Sequence, residues 1–255
     1  MFKYGTGSLP SPNYEKIIDV NKAILLEEFI DLPKDIDYTP YMSPVRKQGA
    51  ENTCVGFGVA ACKEYFDKKE FNKDIILSPR YVYEEARRID GHPDEQKGTT
   101  IPDALSVLQD QGICEESFWP YIENMKGIPK NGFNENAKRY RIQSYARITS
   151  QMDVVKILAT HGPCLMRVPI YKSWKQEPVS STGKIPIPKL VPSTSLRDNA
   201  EDYHCICVVG YNDELRTWKF KNSWGSWGDK GYGYLPYDYF HLNGIECYTI
   251  VDIVG

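Results

Sequence analysis

The apolar pattern of this chain changes period near residue 140, and that change restricts its architecture more than any other feature. Before it, an apolar run starts at Cys54 and continues through Val55-Gly56-Phe57-Gly58-Val59-Ala60-Ala61-Cys62 to Phe66 without a strong breaker. Ser78-Pro79 opens a second helix through about Arg88, and Ile101 to Gln111 forms a third, stopped by Gly112. After it, Ile142 to Ile148, Cys164 to Val168, Cys205 to Tyr211, Thr217 to Lys221, Tyr232 to Leu235 and Tyr248 to Ile253 read as strands. One helix, about Gln151 to His161, interrupts them and ends at Gly162-Pro163. Helices and strands are segregated instead of alternating, so the expectation is an α+β fold with two packed lobes.

The flanking segments are less regular. Residues 1–31 begin with Gly, Ser, Pro and Asn and then carry apolar positions between Tyr14 and Ile30 that predict a loose tail followed by one short amphipathic helix. A stretch rich in Pro, Ser and Thr, from about Trp174 to Asn199, reads as a long loop.

Charge and cysteine content exclude several functions. With 31 Lys and Arg against 34 Asp and Glu, the net charge is −3, which gives no clustered positive charge for a nucleic-acid partner. Apolar runs such as Cys205 to Val209 fall far short of the roughly 20 residues a membrane span needs. Read with Met1 as its start, the chain lacks a secretory signal. Seven cysteines, at 54, 62, 114, 164, 205, 207 and 247, form no C-x-x-C pair, so buried free thiols in the cytoplasm or another reducing compartment are expected, with no cofactor and no metal. Cys205-x-Cys207 beside His204 has a metal-like look but reads better as a buried strand.

Three stretches combine reactive side chains with Gly or aromatic residues: Gln48-Gly49-Ala50-Glu51-Asn52-Thr53-Cys54, Tyr203-His204-Cys205, and Asn222-Ser223-Trp224-Gly225. A cysteine attacks a carbonyl as thiolate, and a helix N-terminus and a nearby imidazolium both stabilise that anion. The imidazole can then return the proton to the leaving amine. An amide carbonyl can hold its other ring nitrogen without adding charge, and an amide N–H near the thiol can stabilise an oxyanion. Cys54, His204, Asn222 and Gln48 supply one of each. Alone, Cys54 would be an ordinary buried thiol, His204 a core histidine and Asn222 a turn residue; the joint pattern is what sets them apart.

At these residues the chain resembles the papain-like cysteine peptidases. Gln48 lies six residues before Cys54, His204 follows 150 residues after it, and the Asn-Ser-Trp-Gly motif is present at 222–225. Leu77-Ser78-Pro79, Trp119-Pro120-Tyr121, Gly162-Pro163 and Trp227 to Tyr234 fall in family order as well, so the resemblance covers about residue 32 to the end. It implies a two-lobed fold, a helical lobe at about 43–141 packed on an antiparallel β-barrel lobe at 142–255, with the site in the groove between them. It implies hydrolysis of a protein or peptide substrate through an acyl-enzyme on Cys54. His204 would be base and acid, Asn222 its orienting partner, Gln48 the oxyanion donor and Trp224 a shield over the His–Asn bond. By the same resemblance Gly98 and Thr99 would hold substrate backbone, and Glu246 would reach the pocket that selects the substrate's second residue. Residues 1–31 would be a packing tail or a short pro-segment lying across part of the cleft.

Departures from the family pattern point to its disulfide-poor prokaryotic or viral branch. Glu51 stands where secreted members carry a disulfide cysteine, Val55 replaces the usual Trp, and Tyr203 replaces the commoner Asp or Gly. Two alternatives keep the same residues: an acyl transferase using the same dyad, or a silent papain-fold binding module.

Overall fold

A computed structural model describes residues 4–24, 31–93, 97–188, 200–242 and 244–252. The elements are α1 (Val20–Ala23), β1 (Asp35–Asp37), α2 (Cys54–Phe71), α3 (Pro79–Ile89), α4 (Ile101–Asp110), α5 (Phe133–Ala137), β2 (Ile142–Ile148), α6 (Gln151–Thr160), β3 (Cys164–Ile170), α7 (Val179–Thr182), β4 (Asp202–Asn212), β5 (Thr217–Lys221), α8 (Trp227–Lys230), β6 (Tyr232–Pro236) and β7 (Glu246–Asp252).

Side-chain caps set the starts of α3, α4 and α6. Ser78, Thr100 and Ser150 each accept a hydrogen bond from the backbone N–H three residues on, at 3.0, 3.1 and 3.0 Å. α2 is different: the Thr53 side chain makes no cap and instead pairs with the Tyr121 hydroxyl at 3.1 Å. The positive end of this 18-residue helix is therefore left without a side-chain cap at Cys54.

The strands form an antiparallel sheet in the order β2-β7-β3-β4-β5-β6, with β1 pairing β4. Period-two alternation along β4 divides the interior. Cys205, Cys207 and Val209 face a core shared with α2, α3 and α4, while Ile206 and Val208 join Trp174, Trp218 and the apolar face of α6 on the other side. Gly58 lets α2 approach the sheet, because a Cβ there would lie 2.8 Å from Cys205 Sγ. Gly56 faces α3, where a Cβ would meet the Pro79 carbonyl oxygen at 2.4 Å.

The helix expected between Tyr14 and Ile30 is not formed over its described part. A single 3-10 turn at Tyr14–Lys16 and the one-turn α1 flank an extended step at Ile17 to Asp19. β2 is an end strand of the sheet, and its Arg147 N–H bonds the Ile18 carbonyl at 2.9 Å. Tertiary pairing with an open edge has overridden the helical spacing; residues 25–30 lie outside the described residues. The 174–199 loop contains the turn α7, and its 189–199 part is likewise outside them.

Candidate active site

The fold brings Cys54, His204, Asn222 and Gln48 together from four separate segments. Cys54 opens α2, and its Sγ accepts a hydrogen bond from the Cys205 backbone N–H at 3.4 Å. His204 is near the start of β4, and Asn222 directly follows β5, whose Lys221 pairs with Cys207 of β4. His204 Nε2 and Asn222 Oδ1 are 2.8 Å apart. Asn222 Oδ1 also accepts the Ser223 backbone N–H at 2.8 Å, which marks it as the oxygen end of the amide. The neutral imidazole therefore carries its proton on Nε2, and Nδ1 is the basic nitrogen. That Nδ1 is buried and has no hydrogen-bond partner among the described residues.

Gln48 is fully buried and its amide is fixed at both ends. Ser223 Oγ donates to its Oε1 at 2.5 Å, and its Nε2 donates to the Glu51 carbonyl at 2.7 Å. The Trp224 ring lies over His204, centroids 4.6 Å apart.

Glu51, at the position of the missing disulfide cysteine, is held electrostatically. Arg80 donates to both its carboxylate oxygens at 2.6 and 2.7 Å, and the Asn124 N–H and Tyr121 hydroxyl add bonds at 2.9 and 3.0 Å. Burial alone would push the Glu51 carboxyl up, but Arg80 and Asn124 hold it below the usual range. Arg80 was not legible as a site residue, since a charged side chain on a helix reads as solvated surface.

The largest feature that sequence reasoning left without detail is residues 4–11, which run through the groove over the site. Tyr4 stacks on the outer face of Trp224, centroids 4.8 Å apart. The Gly5 carbonyl accepts from Trp224 Nε1 at 2.8 Å, and the Gly5 N–H donates to the Gly49 carbonyl at 2.8 Å. Thr6 Oγ1 donates to the Asp202 carboxylate. The Gly7 and Ser8 N–H groups both donate to the Tyr203 carbonyl at 3.1 Å. Thr99 N–H donates to the Gly7 carbonyl at 3.2 Å, and Leu9 N–H to the Thr99 carbonyl at 3.0 Å, in a parallel bridge. Gly98 lies beside Gly7, so both residues expected to hold peptide backbone do touch a peptide, the chain's own.

The sequence of this segment fits its path. A Cβ on Gly5 would lie 2.1 Å from the Glu51 carbonyl oxygen and 2.7 Å from Gln48 Nε2. Gly7 has φ +105° and a Cβ there would lie 2.5 Å from Asn52 Cβ. Gly-Thr-Gly is thus the signal in the sequence that could have shown a close backbone approach.

Covered in this way, Cys54 and His204 are both fully buried. Burial pushes the Cys54 thiol up to about 12, against the Cys205 N–H, which favours the thiolate. Burial also draws the His204 imidazolium down to about 4, against the Asn222 bond and the Asp202 charge. The covered site holds a neutral thiol beside a neutral imidazole, and no hydrogen bond joins Cys54 to His204 among the described residues. All seven cysteines are free and buried. Among the described residues no group of His, Cys, Asp and Glu could hold a metal ion, and no helix is long and apolar enough to cross a membrane.

A thiol at a helix start, an imidazole held by an amide carbonyl and a fixed amide donor on a two-lobed α+β frame define a cysteine-type peptidase. The chain belongs to the papain family of cysteine proteases, whose pattern matches residues 32–251. An uncharacterized peptidase C1-like protein of Acanthamoeba polyphaga mimivirus is 26% identical over 86% of this chain and 72% of its own length. Cathepsin K of Mus musculus is 29% identical over 80% of this chain and 60% of its own. The crystal structure of xylellain, a cysteine protease from Xylella fastidiosa, superposes with a TM-score of 0.82 at 26% identity, covering 99% of this chain and 98% of that one.

Proposed function

We propose that this chain hydrolyses peptide bonds through an acyl-enzyme on Cys54, and that residues 4–11 hold it in a closed form as a short pro-segment. The observation that carries this reading is the peptide already in the groove: residues 4–9 bond Thr99, Tyr203 and Trp224 directly above the Cys54 and His204 pair.

In the open form, solvent returns to the site and the burial that keeps both groups neutral is relieved. His204 Nδ1 takes the Cys54 proton, and the thiolate is stabilised by the imidazolium and the uncapped α2 N-terminus. Sγ attacks the substrate carbonyl carbon, and the oxygen takes the negative charge opposite Gln48 Nε2 and the Cys54 N–H. His204 returns its proton to the leaving amine as the C–N bond breaks. Water then attacks the thioester, giving its proton to His204, and the acid product leaves as the thiol re-forms.

The pro-segment is spared in part because three of its carbonyls are held away from the oxyanion donors. Those of Gly5, Gly7 and Ser8 accept from Trp224, Thr99 and Arg167, while Gln48 Nε2 donates to the Glu51 carbonyl. The test is hydrolysis of an unstructured protein by the full chain, its Gly7→Val variant and the Gly7→Val, Cys54→Ala double variant. Cleavage by the first variant, greater than by the full chain and absent in the double variant, supports the reading. Equal, Cys54-independent rates would end it.

A further inference from the structure

The groove wall carries a pair of oppositely charged side chains that the reaction at Cys54 does not use. Arg167 of β3 and Glu246 of β7 are cross-strand partners, and both are buried. Part of each is anchored by the protein. The Arg167 guanidinium lies 3.6 Å from the centre of the Tyr203 ring and its Nη1 donates to the Gly244 carbonyl. Glu246 Oε2 accepts the Tyr248 hydroxyl at 2.7 Å. Each also binds residues 4–11: Arg167 Nε donates to the Ser8 carbonyl at 3.0 Å, and Glu246 Oε1 accepts the Ser11 N–H at 2.9 Å. Ser8 Oγ, itself buried and without a hydrogen-bond partner among the described residues, uses neither group.

When residues 4–11 leave, a buried donor and a buried acceptor are both uncovered on neighbouring strands, where opposed side chains lie roughly 5 Å apart at Cβ. Buried polar groups demand partners, and four kinds of side chain meet this demand differently. An apolar side chain satisfies neither group. A carboxylate satisfies Arg167 and is repelled by Glu246, and an ammonium does the reverse. A primary carboxamide offers its C=O to Arg167 Nε and its N–H to Glu246 Oε1, the same two functions that the Ser8 carbonyl and Ser11 N–H supply now. We propose that Arg167 and Glu246 form a donor and acceptor clamp that selects peptides bearing asparagine or glutamine at the point of the groove where Ser8 lies. This names a substrate class for the site and rests on the peptidase reading above only for the statement that such peptides are cut.

The test separates the two. In the full chain carrying Gly7→Val and Cys54→Ala, fluorescence anisotropy measures binding of a labelled tetrapeptide set with Gln, Leu, Glu or Lys placed in turn at each position. The expected result is one position at which the Gln peptide binds at least tenfold tighter than the other three. Arg167→Met removes that preference, and the isosteric Glu246→Gln raises affinity for the Glu peptide at least fivefold at the same position. Equal affinities across the set, no binding of any peptide, or a preference unchanged in both variants overturns the clamp. Hydrolysis of the same peptides by the Gly7→Val variant reports on the other claim: cleavage without Gln preference removes the clamp alone, and Gln-selective binding without cleavage removes the peptidase reading alone.

Discussion

Tyr4 and Trp224 are stacked at 4.8 Å with planes 24° apart, and Trp224 in turn covers His204. The Tyr4 side chain is thereby placed on the ring that covers the His204 imidazole. Closure of the groove and burial of the dyad are one structural event.

Opening the segment should therefore release activity. Gly7→Val forces a β-branched residue to φ +105° and drives its Cβ into Asn52, so the segment is expected to lift. A loss of roughly 1 to 3 kcal/mol of closure corresponds to about a 5- to 150-fold increase in peptide hydrolysis. Steady-state rates for the variant and the full chain check this. Thr6→Val, which removes only the bond to Asp202, should give a smaller increase.

Acid should favour the open form. The His204 pKa is drawn from 6.5 to about 4 when covered, so between these values the open and unfolded states bind a proton that the closed state refuses. Stability of the closed state is fully present above about pH 6.5 and falls as pH drops toward 4, by at most roughly 3 kcal/mol. Asp202 and Lys175 act on His204 in opposite senses and do not reverse the direction set by burial. Hydrogen exchange at Gly7 and Leu9, corrected for intrinsic rates, should show less protection at pH 4.5 than at pH 7; equal protection would contradict it.

Glu51 and Arg80 should behave as a buried pair. Glu51→Ala leaves a 1% exposed guanidinium with Glu84 as its remaining ion-pair partner among the described residues, and should destabilise the fold by about 3 kcal/mol in urea unfolding. Because Arg80 and Asn124 hold the Glu51 carboxyl below its ordinary value, the pair's contribution is present at neutral pH and is lost as pH falls through that lowered value. Replacing both residues, as Glu51→Leu with Arg80→Met, should recover much of the loss.

Gln48→Ala in the Gly7→Val background should lower kcat by about a hundred- to a thousandfold with little change in KM, since the amide would act on charge that develops only in the transition state. A change confined to KM would give Gln48 a binding role instead.

Much of this site was legible before any coordinates. Cys54 at a helix start followed from an apolar run with no breaker, and the resemblance to the papain-like peptidases singled out Gln48, His204 and Asn222 as its companions. What stayed hidden depends on long-range pairing. Tyr4 to Leu9 look like a tail because Gly and Ser carry no apolar signal, and their partners lie 44 to 220 residues away. Arg80 and Arg167 gave no signal of their roles because burial of a guanidinium depends on acceptors that only the fold supplies. The helix expected after Tyr14 failed for the same reason, since the open edge of β2 offered that backbone better partners than its own turns.

The central claim is a thiol at Cys54 that His204 activates once the groove is open. Intact-mass analysis after incubation with a peptide-like epoxide under reducing conditions tests it, using the Gly7→Val variant with and without Cys54→Ala or His204→Ala. A single adduct that maps to Cys54, forms faster than in the full chain and disappears in both further variants is the predicted result. No adduct in the opened variant, or one that survives Cys54→Ala, would contradict the account.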